Sequence, residues 1–398
     1  MCALRLVAPS LSLVILIGCG PMGGAPASSG GGFLQVGGGA SDAAGGFAGI
    51  SNSTGGNGGS AGMAGSSGAA PASNVGQITL EGISTWKDNA TAAYSIIHDD
   101  ACDYTLDSLF TIADPELTSR GLRAGFGAIV ERCQERSVWS KVETLVAHGH
   151  EILCHSWTHP DFVTATPAPD LSIEIDQATN VLAANIPDQK LEYFIFPYDS
   201  FTQDMIDHLG AIGYSGARAG LKGVTPLDFS DPLRENFDVY NDENSIYYPA
   251  NPDVLTAYVD DAISKKSWAI RELHGVNDMS WEPIPTADYE THLDYVKSKV
   301  DSGELWVDTP STVGHYRFAR QYCVPNIDDA VLSFPSPSQL CLANATVVSV
   351  IVDTEIDRAT LNATQNGKAL DTKRIAAKRY IVEINPALGP ALLQGSEP

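Results

Sequence analysis

The chain has 398 residues, with 24 basic and 48 acidic side chains and a formal net charge of −24. So large an acidic surplus works against docking on nucleic acid phosphates or other strongly anionic polymers, where Lys and Arg supply the affinity. No apolar run reaches the roughly 20 residues of a transmembrane helix, and the length suits about two or three domains with sizeable cores.

Residues 1–18 read as an export signal: Arg5 supplies the positive start and residues 11–17 a short apolar core. The following Leu16-Ile17-Gly18-Cys19 resembles a bacterial lipobox, which is cleaved before a cysteine that becomes lipidated. A lipid on Cys19 would hold the mature chain on a bacterial membrane, facing the periplasm or the exterior; ordinary secretion is the alternative. Residues 19–75 read as a disordered linker. Of the 37 glycines, 19 lie between Gly20 and Gly68, and Asp42 is the one charged residue from Gly20 to Asn74. Such a stretch buries too little apolar surface to offset its ordering entropy. Beyond it lie five cysteines: Cys102, Cys133, Cys154, Cys323 and Cys341. Cys323 and Cys341 bracket a short loop-like stretch and form the expected disulfide, and at least one of the other three is left as a buried thiol.

From about residue 76 to 320, short apolar runs alternate with segments of helical period. Strands are expected at 93–97, 151–154, 191–196, 268–273 and 304–308. Helices are expected at 128–146, 171–186, 202–209, 252–265 and 288–300, with 118–125 as a loop. This alternation implies parallel strands joined by crossovers, in a barrel or an open doubly wound sheet. No glycine-rich phosphate loop follows the first strand, so nucleotide binding has little support. Residues 321–398 read differently: 345–352 is β-branched and apolar, and Asn366-Gly367 is a hairpin turn signal. A small all-β, sandwich-like domain is expected there, packing on the rest of the chain. Its basic cluster, Lys373, Arg374, Lys378 and Arg379, reads as a solvated face.

Three clusters fall at the ends of expected strands, where barrel active sites are built. The first is His98-Asp99-Asp100 after the strand at 93–97. Adjacent carboxylates repel when both are charged, and a cation beside them removes the conflict. The second is His155-Ser156-Trp157-Thr158-His159 after the strand at 151–154. Two histidines four apart can face one ion from a helical turn, and with one Asp they leave coordination positions open, as catalytic metal sites do. The third is His274, beside Gly275 at the end of the strand at 268–273, where a proton donor can sit in a cleft.

Together these segments resemble the motifs of the polysaccharide deacetylases, the NodB-homology or carbohydrate esterase family 4 group, closest in style to biofilm-polysaccharide deacetylase-like members. Residues 95–100 resemble the first motif, 149–160 the second, Phe196-Pro197-Tyr198 the third and Leu273-His274-Gly275 the last, in the family's order, within a stretch from about 78 to 320. The resemblance implies a distorted (β/α)7 barrel of the NodB type in an α/β domain spanning 76–320. It implies a divalent metal, zinc first, with Co, Ni, Mn or Fe as alternatives, held by Asp100, His155 and His159. It further implies Asp99 as general base, the N–H of Tyr198 as oxyanion donor and His274 as proton donor to the leaving group.

The chain departs from the family pattern at Ile195, where an Arg that orients the base usually stands. Arg218 is the expected substitute guanidinium. A fourth motif with a clear Asp and Trp is not found, and Cys154 is read as a buried thiol. Among the aromatics Trp157, Tyr198, Tyr247, Tyr248, Trp281 and Trp306, one or two are expected to stack on sugar; Trp157 is expected at the cleft and Trp306 in the core. The expected function is removal of N-acetyl groups from an acetylated polysaccharide with N-acetylglucosamine-type units. The alternatives are an O-acetyl esterase on a xylan-like polymer, another non-peptide C–N hydrolase with the same site, and a non-catalytic glycan-binding protein.

Overall fold

The protein is described by a computed structural model for residues 75–103, 106–228, 231–240, 245, 247 and 254–395. The expected export signal, Cys19, the linker through residue 74 and Tyr248 lie outside the described residues. The first strand, β1, is Ile78–Ile83. The next seven are β2 (Ala92–Ala101), β3 (Gly125–Ala128), β4 (Glu151–Cys154), β5 (Tyr193–Ile195), β6 (Gly216–Lys222), β7 (Glu235–Val239) and β8 (Trp268–Leu273). Among the described residues these seven are parallel, and they close into a barrel because β2 pairs with both β8 and β3.

The barrel is distorted at two seams. A further strand, β9 (Leu305–Val307), takes the N-terminal half of one edge of β2, leaving only the C-terminal half of that edge to β3. At the other seam, β4 and β5 meet at Cys154 and Phe194.

Alternation along the strands sorts side chains into two cores. Tyr94, Ile96 and Phe126 face outward and pack with Leu145, Leu182, Leu209, Tyr258 and Leu293 of the surrounding helices. Ala93, Ile97, Leu153, Ile195 and Ile270 fill the barrel, and the same buried cluster continues into Val350, Tyr380, Val382 and Leu393 of the C-terminal β region. Trp306 is buried there, as expected.

The C-terminal strands are β10 (Asn326–Asp328), β11 (Val331–Ser333), β12 (Val348–Thr354), β13 (Leu361–Gln365), β14 (Lys368–Leu370), β15 (Thr372–Ala376), β16 (Arg379–Ile384) and β17 (Ala391–Gly395). They form two antiparallel sheets, ordered β1-β12-β16-β15 and β10-β11-β17-β13-β14. Asn366 and Gly367 both take positive φ in the β13–β14 turn, as a two-residue hairpin requires. In the basic cluster, Arg374 pairs with Asp357 at 2.7 Å and Arg379 with Asp353 and Glu81. Strand β1, expected within the 76–320 domain, pairs instead with β12 in the C-terminal sheet. Barrel and C-terminal strands lie in one compact unit.

The strands at 151–154 and 268–273 lie where expected. The helix expected over 128–146 is two, Val130–Glu135 and Trp139–Ala147, separated by Ser137 at φ 52°. The expected loop at 118–125 holds the end of the helix Asp114–Ser119 and the start of β3. The helix expected to stop at Gly210 runs to Ile212 and ends on Gly213, whose φ of 98° suits a glycine C-cap. Strands β3, β6 and β7 were not legible in the sequence: β3 and β6 carry glycines and β7 reads Glu-Asn-Phe-Asp-Val. Cys323 and Cys341 are bonded, and so are Cys102 and Cys133. Cys154 is the buried free thiol, and burial pushes its pKa up to about 11.

Candidate active site

The C-terminal ends of β2, β4, β5, β6 and β8 open on a cleft of about 810 Å³ whose floor carries Asp99, Asp100, His155, His159, Arg218 and His274. Asp100 and His159 are placed by local departures from regular strand geometry. In β2 the pairing register shifts between His98 and Ala101, and Asp100 sits at φ 60°. Such a bulge re-aims a side chain at a sheet edge. The turn is pinned by the Ile129 N–H donating to the Ala101 carbonyl at 3.1 Å and by the Cys102–Cys133 disulfide.

The His155–His159 segment is a loop, not the helical turn expected. Ser156 and His159 stand at φ 65° and 63°. The Ser156 hydroxyl accepts from the His159 N–H at 2.9 Å. Buried Glu174, from the helical segment Ser172–Gln177, accepts from the N–H groups of Trp157 and Thr158 at 3.1 and 2.8 Å and from the Thr158 hydroxyl at 2.6 Å. Glu174 was not singled out in the sequence, since a Glu in a helical run reads as surface.

Asp100 Oδ1 lies 3.5 Å from His155 Nε2 and 3.3 Å from His159 Nε2. His155 Nδ1 donates to the Ile195 carbonyl at 3.0 Å, which leaves Nε2 to face Asp100. Burial favours the protonated form of Asp100, but the hydrogen bond and charge of His155, with the charges of His274 and His159, outweigh it and hold the carboxyl below the usual range. Burial also disfavours charge on His155, yet the Asp99 charge and Asp100 raise its pKa. Burial and the neighbouring His155 lower His159 to about 4.

The fit to a divalent cation follows from this electrostatics. Two carboxylates converge on one imidazole, and a cation there supplies the positive charge that the ring otherwise takes up as a proton. One carboxylate and two imidazole nitrogens within 4.8 Å of one another form a mixed O/N set suited to zinc and its first-row neighbours.

Beside this trio, Arg218 grips Asp99 with two hydrogen bonds of 2.8 and 2.7 Å. Arg218 is 1% exposed and also meets Asp199 at 3.1 Å and Glu272 at 3.2 Å. Its place has a simple origin: Arg218 is the register partner of Ile195 on the neighbouring strand. The guanidinium missing from position 195 is therefore supplied one strand over. Burial pushes Asp99 up, but the charge of Arg218, then that of His155, prevails and holds its carboxyl below the ordinary range. Glu272 is pushed well above its ordinary value by burial. Lys222 pairs with Asp199 at 3.1 Å and lies 4.0 Å from the Phe237 ring centre. Asp199, Lys222 and Glu272 were not singled out in the sequence; the signal available was the Tyr198-Asp199 pair and the i, i+2 spacing of Glu272 and His274 on one strand face.

His274 Nε2 lies 3.8 Å from Asp100 Oδ2. Tyr198, at φ 56° and 67% exposed, places its ring 4.7 Å from that of His159. Trp281, 53% exposed, meets the His274 ring edge-on at 5.0 Å. The two exposed rings flank the polar floor. Trp157 does not line the cleft; its half-buried ring packs against the helix-layer core, and Trp281 is the tryptophan at the mouth. Tyr247 is tied to Asp261 at 2.6 Å, away from the cleft lining.

Comparison with known proteins finds similarity in the part of the chain that carries Asp99, Asp100, His155 and His159. The polysaccharide deacetylase family profile matches residues 99–217. A chitooligosaccharide deacetylase from Bradyrhizobium sp. (strain ANU 289) is 30% identical over 95 residues, which is 23% of this chain and 40% of that protein. Among solved structures, a family 4 carbohydrate esterase from Streptomyces lividans aligns with a TM-score of 0.36 and 15% identity, covering 56% of this chain and 96% of that one. A family 4 acetyl xylan esterase from Clostridium thermocellum gives 0.37 and 19%, covering 56% and 89%. The matched segment spans the ends of β2, β4 and β5 that carry Asp99, Asp100, His155, His159 and Tyr198, and over it the chain is similar to the polysaccharide deacetylases.

Proposed function

We propose that the protein is a metal-dependent hydrolase that removes N-acetyl groups from N-acetylglucosamine-type units of an extracellular or cell-envelope polysaccharide. The observation that carries this reading is the juxtaposition of two chemically distinct groups from adjacent residues. Asp100 faces His155 and His159, while Asp99 is clamped by Arg218 beside them.

Asp100, His155 and His159 would hold the ion, zinc by the donor set. A bound divalent ion supplies Lewis acidity, lowering the pKa of water and polarising an acyl oxygen. Asp99, kept ionised and oriented by Arg218, accepts the proton from the attacking water. The N–H of Tyr198, in its left-handed turn, donates to the oxygen on which negative charge develops. His274 delivers a proton to the departing amine. Tyr198 and Trp281 offer exposed ring faces on either side for a pyranose. The export signal and Cys19 support a lipid-anchored enzyme outside the cytoplasm.

The test is acetate release from N-acetylated chitooligosaccharides, peptidoglycan and acetylated xylan by protein loaded with zinc, with Asp99→Asn as control. Acetate from an N-acetylated polymer with the parent, and none with Asp99→Asn, is expected. Acetate from xylan alone would make the protein an ester hydrolase. No acetate from any of them, with the metal bound, would overturn the proposal.

A further inference from the structure

We propose that His98 is a positioning residue for His274, holding that residue's backbone through a side-chain hydrogen bond from Nδ1 while the Tyr289 hydroxyl partners the other ring nitrogen. The inference rests on the function proposed above, in which His274 hands a proton to the leaving group.

The β2–β8 ladder runs from Ala93↔Trp268 to His98↔Leu273, and Leu273 is the last residue of β8. Beyond it the chain leaves the sheet. The Gly275 N–H donates to the Ser280 hydroxyl at 2.9 Å, and the Val276 N–H to the Ser108 hydroxyl at 3.2 Å. The His274 carbonyl therefore emerges at a buried strand end just past the last register pair. A carbonyl left there without a donor would be costly. The His98 side chain supplies one: its Nδ1 lies 2.7 Å from the His274 oxygen. A carbonyl only accepts, so Nδ1 carries the hydrogen. The other ring nitrogen, Nε2, lies 3.0 Å from the Tyr289 hydroxyl, which donates to it when Nδ1 holds the ring's single hydrogen.

The ring of His98 has little freedom to do anything else. It is fully buried, stacked on Phe126 at 5.4 Å and 14°, with Tyr289 edge-on at 5.5 Å. The imidazole of His274, by contrast, is placed by no side-chain hydrogen bond among the described residues. Its neighbours are Asp100 Oδ2 at 3.8 Å and the edge of Trp281. Its position in the cleft thus depends on its backbone, and the backbone depends on His98. One strand end thereby ties three parts of the site together. Asp99 and Asp100 reach the cleft, while His98, on the opposite face, fixes the strand that carries the proton donor. An apolar ring would stack on Phe126 equally well, so packing alone does not call for a histidine here.

Two substitutions separate positioning from packing. His98→Phe keeps the stacked ring and loses the donor. His98→Asn loses ring volume but places an amide N–H close to the Nδ1 position. In zinc-loaded protein, His98→Phe is expected to lower kcat about tenfold to a hundredfold, the scale of a small misplacement of a catalytic group, with KM and metal content unchanged. His98→Asn is expected to restore most of kcat although it is the less thermostable of the two. A packing role predicts the opposite order, with activity following stability. Independently of turnover, the His274 ring resonances in a 1H–15N spectrum should move in His98→Phe and stay near the parent's in His98→Asn. Unchanged His274 resonances in His98→Phe, or the two variants ranking alike in activity and stability, would overturn the inference. Absence of acetate release by the parent would defeat the deacetylase reading, while the resonances still decide the positioning.

Discussion

Arg218 illustrates how a residue's role is set by register rather than by motif. It stands opposite Ile195 and turns its two terminal guanidinium nitrogens to Asp99, one of them also meeting Glu272. Replacing it by Ala leaves Asp99 buried without its cation, a loss of about 3–5 kcal/mol in stability, and frees the carboxylate to rotate. Arg218→Ala is expected to lose turnover far more than bound metal, read by acetate release beside elemental analysis; equal losses in both would exclude the orienting role. Arg218→Lys should recover stability more than activity, because one ammonium cannot make both hydrogen bonds. For the trio, His159→Gln or Asp100→Asn should lower zinc content and activity together, whereas Asp99→Asn should keep zinc and lose turnover by about 10²–10⁴. Away from the cleft, buried His292 shares a hydrogen bond of 2.9 Å with the Tyr94 hydroxyl through Nε2, and burial, helped by Arg271, lowers its pKa to about 3. The unfolded chain titrates near the ordinary 6.5, so this contribution is fully present above that pH and is lost as pH falls towards about 3. Between pH 7 and pH 5 it removes about 2 kcal/mol, and in denaturant titrations His292→Gln should flatten that part of the profile.

At the scale of elements, the end of β2 and the segment after it behave as one device. Asp100 and Cys102 both take positive φ, the pairing with β3 slips, and the Cys102–Cys133 bridge then ties the turn to the helix Val130–Glu135. Arg136 adds a hydrogen bond of 3.0 Å to the Cys102 carbonyl. A bridge spanning 31 residues restricts the unfolded chain by roughly 3–4 kcal/mol on the loop-entropy model. The double change Cys102→Ser/Cys133→Ser is therefore expected to lower the denaturation midpoint. It should also weaken zinc binding, because Asp100 lies two residues from the anchor. Isothermal titration against a zinc chelator would show this, and unchanged affinity would mean that the bulge holds itself. The sequence left this pairing open, since connectivity is a matter of which strand end meets which helix. It did reveal β4 and β8, where short apolar runs lead up to a histidine. It concealed β6, whose buried Arg218 and four neighbouring glycines and alanines break the apolar pattern on which strands are read.

Across the whole molecule, the β1 strand closes the C-terminal sheet, and one buried cluster runs from the barrel interior into the C-terminal strands. Buried Glu235 of β7 and Arg317, from the helix Pro310–Tyr322, add a bidentate ion pair at the barrel. Loss of β1 would uncover the edge of β12 and part of that core. A chain starting after Ile83 is expected to melt at a clearly lower temperature, or to aggregate, relative to one starting at residue 70, although both contain the full barrel. Equal melting by differential scanning calorimetry would show that the barrel is stable without the strand.

The sequence by itself determined the strand–helix alternation, the hairpin at Asn366-Gly367, the Cys323–Cys341 pair and the identity of the converging groups Asp99, Asp100, His155, His159 and His274. These signals are local: an apolar run, a turn dipeptide, a histidine at a strand end. Tertiary structure alone decided that Arg218 would stand in for Ile195, that Glu174 would brace the Trp157–Thr158 backbone, that Trp281 rather than Trp157 would reach the cleft, and that β1 would join strands some 270 residues away. Each of these depends on which strand edge meets which, and pairing between distant segments is fixed by burial of the whole surface, not by the residues adjacent in the chain.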